Sequence, residues 1–460
     1  MSKTKENTKT KSDVKGSEIF GHAIAGVGQN VIYVLWSSYM MIFFTDVFGI
    51  TAGVATAIIT ATRVWDAIND PMMGYVADRT KTRWGRYRPW LLFMSIPVVI
   101  CLVLNFSTPN ISSTGKIIWA AVTYVAMSMA FTAVDIPYWT LPTVMSQDTG
   151  KRTSIISISK ASTSIASIAL GVIAVPLIMA LGKGNMATGY QRTALIVGLI
   201  GAVCYLVGFA LIREHVAAPS QEKLGFKNGL QVITKNKPLL IILLCLLFTN
   251  VTTTLRQNML LYYTQYNLGN LELSSIFSLL MLPGMMLGVI ITPLLAKKVG
   301  QKQLYIGVSI FGAAVNTIFF FAGYKNLLVV AVLYAISSIP VGVTSVLCGA
   351  MIMNTIEYAE WKTGQRREGL ISSTQTFITK ASTALGVLIN GIVLMIANFT
   401  PNVAQDVHTL QLFHGSFTIL GAFLGIIGMI PMLFYTLTDK RHAEIVAELQ
   451  KRNSGEKDSI

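Results

Sequence analysis

Charge is what this chain has least of: Asp, Glu, Lys and Arg make up 12% of its 460 residues, against roughly a quarter in an ordinary soluble domain. That scarcity excludes a soluble fold with a solvated polar shell. Cysteine is scarce too. Cys101, Cys204, Cys245 and Cys348 stand singly in apolar runs without CxxC spacing, which excludes a disulfide framework or a cysteine zinc site and leaves them as small core residues. Five scattered histidines form no HExxH or comparable constellation. Neither a hydrolytic metal centre nor an activated nucleophile is visible, so neither an enzyme nor a cofactor is expected. The lysine-rich tail before the first apolar run has no apolar core followed by a small-residue cleavage site, and no removable signal peptide is expected.

Apolar residues, by contrast, make up 53% of the chain. They recur in runs of about twenty, enough to cross a hydrocarbon layer of about 30 Å as α-helices. The expected spans are 19–45, 52–76, 89–106, 115–142, 153–182, 191–212, 238–266, 273–296, 303–322, 326–356, 369–398 and 411–437, giving an all-α polytopic membrane protein of about twelve helices. The longest internal polar segment falls at the midpoint. It divides the chain into a tail at 1–18, a six-helix bundle at 19–212, a linker at 213–237, a second six-helix bundle at 238–437 and a tail at 438–460. Two bundles joined by a linker suit a transporter whose substrate site lies between halves near the midplane. Gly and Pro recur inside the spans (Gly171 and Pro176, Pro283 and Gly284, Pro340 and Gly342), as bends for rocking or as packing features; spacing does not choose.

The net charge of +15 would suggest a nucleic-acid partner in a soluble protein. Its distribution says otherwise. Lysines and arginines crowd the N-terminal tail (Lys3 to Lys15), the segment 79–88, the linker, Lys297 to Lys302, Lys362 to Arg367 and the C-terminal tail, while the alternate loops hold only Lys116, Lys183, Arg192 and Lys325. This is the positive-inside pattern. It predicts a multi-pass protein of the cell membrane with both termini cytoplasmic, whose basic surface meets a lipid bilayer and no nucleic acid.

A charge at the centre of a membrane helix costs about 2.5–3.5 kcal/mol on insertion scales, so each one asks for a partner or a task. The second span carries Arg63, Asp66, Asn69 and Asp70 in RVWDAINDP. Asp66 and Asp70 share a helical face, with Asn69 beside them. Two close carboxylates repel unless a proton or cation intervenes, so this is a candidate all-oxygen site for a small hard cation, or a protonatable pair. The alternative is structural pairing with Arg63. The fourth span carries Thr132, Asp135 and Trp139 in FTAVDIPYW. Here an acceptor and an aromatic face stand one turn apart, a combination that can hold sugar hydroxyls and cover the C–H face of the ring. Lys160, Arg256 and Lys380 are the remaining buried bases, and an internal charge network would nearly balance the acids. Two charge-dense loops, DRTKTRWGRYRP (78–89) and EYAEWKTGQRREG (357–369), are expected on the cytoplasmic side, as anchors or as locks between the halves.

Together TDVFG (45–49), RVWDAINDPMMG (63–74), DRTKTRWGRYRPW, DIPYW (135–139) and EYAEWKTGQRREG resemble the glycoside-pentoside-hexuronide:cation symporters of the major facilitator superfamily, over about residues 21–449. The resemblance implies the major facilitator fold and sugar uptake driven by Na⁺ or H⁺, with Li⁺ as a further candidate ion, through alternating access. It implies cation-site roles for Asp66 and Asp70, which would hold Na⁺ in a sodium-coupled carrier, with Asn69 and Thr132 as helpers. Asp135 and Trp139 match the sugar-recognition pair. Lys380, in STQTFITK with Gln375 and Thr376, matches a lysine near both sites and, with Arg63, would form the coupling charge network. Two positions depart from melibiose permease: Asn30 replaces an aspartate and Lys160 an arginine, so the site loses a negative charge and a bidentate fork. Arg256, in LRQNMLLYYTQY, resembles carriers of pentosides and glucuronides. The implied partners are a small sugar, a neutral glycoside or pentoside slightly ahead of a glucuronide, and a coupling cation, with the carrier working as a monomer. A uniporter, or a carrier of a non-sugar amphiphile on the same fold, is the alternative.

Overall fold

A computed structural model of the chain describes residues 14–146, 149–215, 234, 236–364 and 368–455, and among them the architecture is helical throughout, apart from one isolated bridge between Thr82 and Gly85. The lysines Lys3 to Lys11, residues 216–233 of the expected linker, and Arg366 and Arg367 lie outside the described residues. The first half comprises α1 (Gly16–Ile42), which runs on into a wider π-helical turn at Phe43–Phe48, then α2 (Ala52–Arg79), α3 (Arg88–Phe93), α4 (Ser95–Asn105), α5 (Ser113–Met145), α6 (Thr149–Gly182) and α7 (Met186–Leu211). In the second half α8 (Lys237–Tyr262) also ends in a π-helical turn, Tyr263–Asn267. It is followed by α9 (Leu273–Val299), α10 (Gln301–Ala322), α11 (Leu327–Ser337), α12 (Ile339–Thr363), α13 (Glu368–Ile396), α14 (Val407–Phe417), α15 (Ile419–Leu433) and α16 (Asp439–Gly455).

Ten of these stretches are long and apolar enough to cross a membrane, counting α11 with α12 and α14 with α15 as one each. The second expected span, α2, has 28 residues but carries Arg63, Asp66 and Asp70, and the third is divided at Met94 into α3 and α4. With these two, the helices match the twelve expected spans. Helix starts follow local chemistry. Ser112, Asn185, Asn236, Asn326 and Asp406 each accept a hydrogen bond from a first-turn N–H of the helix that follows, satisfying donors that hydrocarbon could not.

Within the first half α1 packs on α6 and α7, α2 on α5, and α4 on α5 and α7. Within the second, α8 packs on α13 and α15, α9 on α12, and α10 on α15. The halves meet where α2 lies against α13, α6 against α9, and α1 against α8. The seam therefore includes α2, α8 and α13, which bear Asp66 and Asp70, Arg256 and Lys380, while α5, which bears Asp135, packs directly on α2.

The first charge-dense loop is fastened by Glu214, whose carboxylate accepts from the backbone N–H groups of Arg86, Tyr87 and Arg88 at 2.9, 2.8 and 2.8 Å. Gly85 makes this possible, since a Cβ there would stand 2.4 Å from the Glu214 carboxyl carbon and φ is 118°. Tyr87 donates to Asp78 at 2.6 Å; burial, with that carboxylate, pushes its phenol above the usual range. The second loop is fastened to α16: Trp361 donates to Glu448 at 2.6 Å, His442 stands 3.4 Å from Glu357, and Arg441 lies over the Trp361 ring. Both fastenings lie within one half of the chain.

Candidate functional site

The candidate site is assembled at the seam from α1, α2, α5 and α13. The polar residues of α5 fall at Ser128, Thr132, Asp135 and Trp139, spaced four, three and four residues apart, so they form one stripe along the helix. That stripe faces the acids of α2. Ser128 donates to Asp66, and Thr132 donates to Asp70 at 3.2 Å. Asp66 also accepts from Arg63 at 3.4 Å, while the Arg63 guanidinium carbon lies 5.1 Å from the Trp36 ring. Asp70 instead accepts from Lys380 of α13. The same ammonium stands 3.9 Å from Asp135, whose other oxygen accepts from Gln29 of α1.

The two α2 carboxylates, one turn apart in sequence, thus occupy different settings. Asp66 is buried and tied within its own half to Arg63 and Ser128. Asp70 reaches across the seam to Lys380, and with Asp135 it makes a cluster of two acids and one base. Asn69 is buried with its amide nitrogen unpartnered. The cluster is reachable: the Lys380 side chain is 43% exposed, and those of Asp70 and Asp135 are 19% each. Trp139, one turn from Asp135, is 37% exposed.

Of the other residues singled out from the sequence, Asn30 lies on α1 beside Gln29, and its amide oxygen accepts from Ser167 of α6. Lys160 is exposed on α6, with its carbonyl accepting from Thr163 and Ser164 at 2.9 and 2.8 Å. Thr376 precedes Lys380 by one turn on α13, and Gln375 sits next to it, its carbonyl accepting from Thr379 at 3.0 Å. Arg256 is not part of the Lys380 cluster. It lies inside the second half, donating to Ser337 at 2.5 Å with its guanidinium carbon 4.6 and 5.1 Å from the rings of Tyr334 and Phe417. Between the two places, a cavity at the seam is lined by Tyr33, Ser37, Arg63, Tyr124, Gln257 and Thr383, among others.

Sequence reasoning missed Ser128 and Gln29. Ser128 was legible in the α5 stripe, whereas Gln29 has no charge to mark it. It also missed the closure at the end of the molecule remote from the start of α1. There the π-helical turns of α1 and α8 meet across the seam: Thr45 and the Tyr262 hydroxyl are 3.0 Å apart, Asp46 accepts from Tyr266 and from Gln265 at 3.3 Å, and Asn402 donates to the Asp46 carbonyl at 2.6 Å.

Residues 21–439 match the family model described as MFS/sugar transport protein. The chain is 31% identical over 453 residues to an uncharacterized symporter, YnaJ, of Bacillus subtilis (strain 168), covering 97% of each. It is 28% identical to the isoprimeverose transporter of Lactiplantibacillus pentosus, covering 97% of this chain and 94% of that one. In fold it resembles a bacterial homologue of the human lysosomal transporter Spinster, solved inward-facing and unoccupied, with a TM-score of 0.66 at 12% identity over 91% of this chain and 96% of that one. Charged seam, helical halves and family match converge: the chain belongs to the MFS sugar-transport family, in its glycoside-pentoside-hexuronide symporter branch, and is a membrane transporter, not an enzyme.

Proposed function

We propose that this transporter is a cation-driven importer of a glycoside or pentoside, working by alternating access between its two halves. The observation that carries the reading is Lys380 held between Asp70 and Asp135 across the seam. Arg63 and Lys380 supply two positive charges against the three negative charges of Asp66, Asp70 and Asp135. One charge is therefore uncompensated, and one Na⁺ or H⁺ (or Li⁺) entering beside Asp70 neutralises it.

The cation seat consists of Asp70 and Thr132, with Asn69 and Asp66 on the same helix. A cation there displaces the Lys380 ammonium from Asp70. Lys380 then turns wholly to Asp135 or to the sugar, so each ligand prepares the other's place, and the two affinities rise by the same factor. Asp135 and Gln29 offer an acceptor and an amide to hydroxyl groups, Trp139 an aromatic face, and Asn30, Lys160, Gln375 and Thr376 further polar contacts. The division into bundles at 19–212 and 238–437, with cytoplasmic termini, a plasma-membrane location and a monomeric carrier, completes the reading. The closure around Asp46, combined with the exposure of Lys380, supports a conformation in which the cluster opens toward the terminal, cytoplasmic side.

The test is uptake by proteoliposomes of galactosides, xylosides and glucuronides, each under an imposed Na⁺ or H⁺ gradient. Accumulation of one sugar against its own gradient, driven by one ion and lost in Asp70→Asn, is the expected result. Ion-independent exchange without accumulation would make the protein a uniporter and overturn the coupling.

A further inference from the structure

Arg256 is a half-buried base without an acidic partner among the described residues. Arg63 has Asp66 and Lys380 has Asp70 and Asp135, but no carboxylate faces Arg256 among the described residues. Its contacts are the Ser337 hydroxyl and the rings of Tyr334 and Phe417. Its Nε–H has no hydrogen-bond partner. The surrounding space is open. A cavity of about 100 Å³ inside the second half is bounded by α8, α9, α10, α11, α12 and α15, and Arg256 and Thr252 both line it. The Thr252 hydroxyl is likewise buried and unpartnered. On the facing helix Gly425 lines the same cavity, and a Cβ placed there would meet nothing within 4 Å. Gln257, next to Arg256, lines both this cavity and the one at the seam, so the two spaces adjoin at one side chain.

An unpaired guanidinium, a free hydroxyl donor and vacant volume make the complement of a small oxyanion, and a guanidinium presents N–H donors to a carboxylate in the plane in which its oxygens accept. Two stacked aromatic rings beside it, Tyr334 and Phe417, hold the guanidinium without neutralising it, leaving its charge for a ligand. We infer that the Arg256 cavity is a carboxylate-binding site, separate from the Asp70–Lys380–Asp135 cluster. The carboxylate arrives either on the sugar itself or as a free small acid; the first source rests on the transport reading above, the second does not.

The full-length protein in detergent separates these sources by equilibrium binding of methyl β-D-glucuronide, its neutral partner methyl β-D-glucoside, and acetate. Two variants probe the site independently: Arg256→Gln removes the charge, and Gly425→Val fills the cavity while leaving the guanidinium in place. Gel filtration and the melting midpoint certify that each is folded. If the sugar brings the carboxylate, the wild-type protein binds the glucuronide about tenfold or more tightly than the glucoside, a margin that both variants lose. If the acid is free, acetate binds the wild-type protein and neither variant, and the two glycosides bind alike. A wild-type protein that neither prefers the glucuronide nor binds acetate, or a preference that survives in both variants, overturns the inference. Loss of ion-driven uptake for every sugar, with acetate binding intact, would sink the transport reading and leave this site standing.

Discussion

Asp66 and Asp70 are equivalent in sequence, two aspartates one helical turn apart, and unequal in the structure. Asp66 neutralises Arg63, whose side chain is 13% exposed, whereas Asp70 has its base on the opposite half. Removing one member of a buried ion pair costs about 3–5 kcal/mol, because the other is left uncompensated. Asp66→Asn is therefore expected to lower the melting midpoint sharply and to reduce the yield of folded protein. Asp70→Asn leaves Lys380 within reach of Asp135 and is expected to cost about 1–2 kcal/mol, with ion-driven accumulation abolished and sugar exchange retained. Melting curves and uptake on both variants check this, and equal melting midpoints would refute the division of roles. The acids and Lys380 were legible in the sequence because a charge in an apolar run is costly and so stands out. Ser128 was marked only by its place in the α5 stripe and Gln29 by nothing, because uncharged polar side chains occur freely in membrane helices, bonded to their own backbone as Thr62 is to Ile58. Only the partner helix distinguishes the functional ones.

At the scale of elements, the structure decides what the Gly and Pro positions do. A Cβ on Gly284 of α9 would fall 2.1 Å from the Ala335 carbonyl oxygen, and one on Gly342 of α12 would fall 2.1 Å from that of Met285. The two glycines let backbones touch, the small-residue packing expected where no hydrophobic force drives helices together. Pro340 lies in the first turn of α12, where its missing N–H costs nothing, and Pro283 sits within a continuous α9. Gly342→Val is expected to cost at least about 1–3 kcal/mol by overpacking, lowering the melting midpoint while leaving the ion dependence of transport unchanged. An unaltered midpoint would show that α9 and α12 can move apart freely. Spans were legible wherever hydropathy was high. The break at Met94 is marked by Pro97, which falls in the first turn of α4 and has no N–H to carry α3 onward, whereas no proline stands near the break at Thr418 to mark it. The π-helical ends of α1 and α8 were equally silent, because one extra residue per turn leaves apolar periodicity almost unchanged.

At the scale of the whole molecule, function depends on contacts that no local pattern encodes. Asp46 belongs to a motif visible in the sequence, yet its partners Gln265, Tyr266 and Asn402 lie more than 200 residues away, on the other half. Tyr266 is the hub: its hydroxyl donates to Asp46 and accepts from the backbone N–H of Asn402 at 3.1 Å. A hydrogen bond to a charged group contributes about 1.5–3 kcal/mol. Its loss acts only on the conformation that contains it, because the bond forms where the halves touch and cannot persist once they part. Tyr266→Phe, which keeps the ring packed against Phe399 and Phe413, is therefore expected to shift the population about tenfold or more away from the closed end. Spin labels at Ile111, in the loop before α5, and Val407, at the start of α14, both exposed at that end in different halves, report the change by pulsed dipolar spectroscopy. The wild-type protein should give mainly the shorter of two distances, and Tyr266→Phe mainly the longer. Transport should slow as well, since a carrier that rarely closes this end rarely presents its seam to the other side. Identical distance distributions in the two proteins would mean that Asp46 and Tyr266 only decorate an interface held shut by the apolar contacts around them.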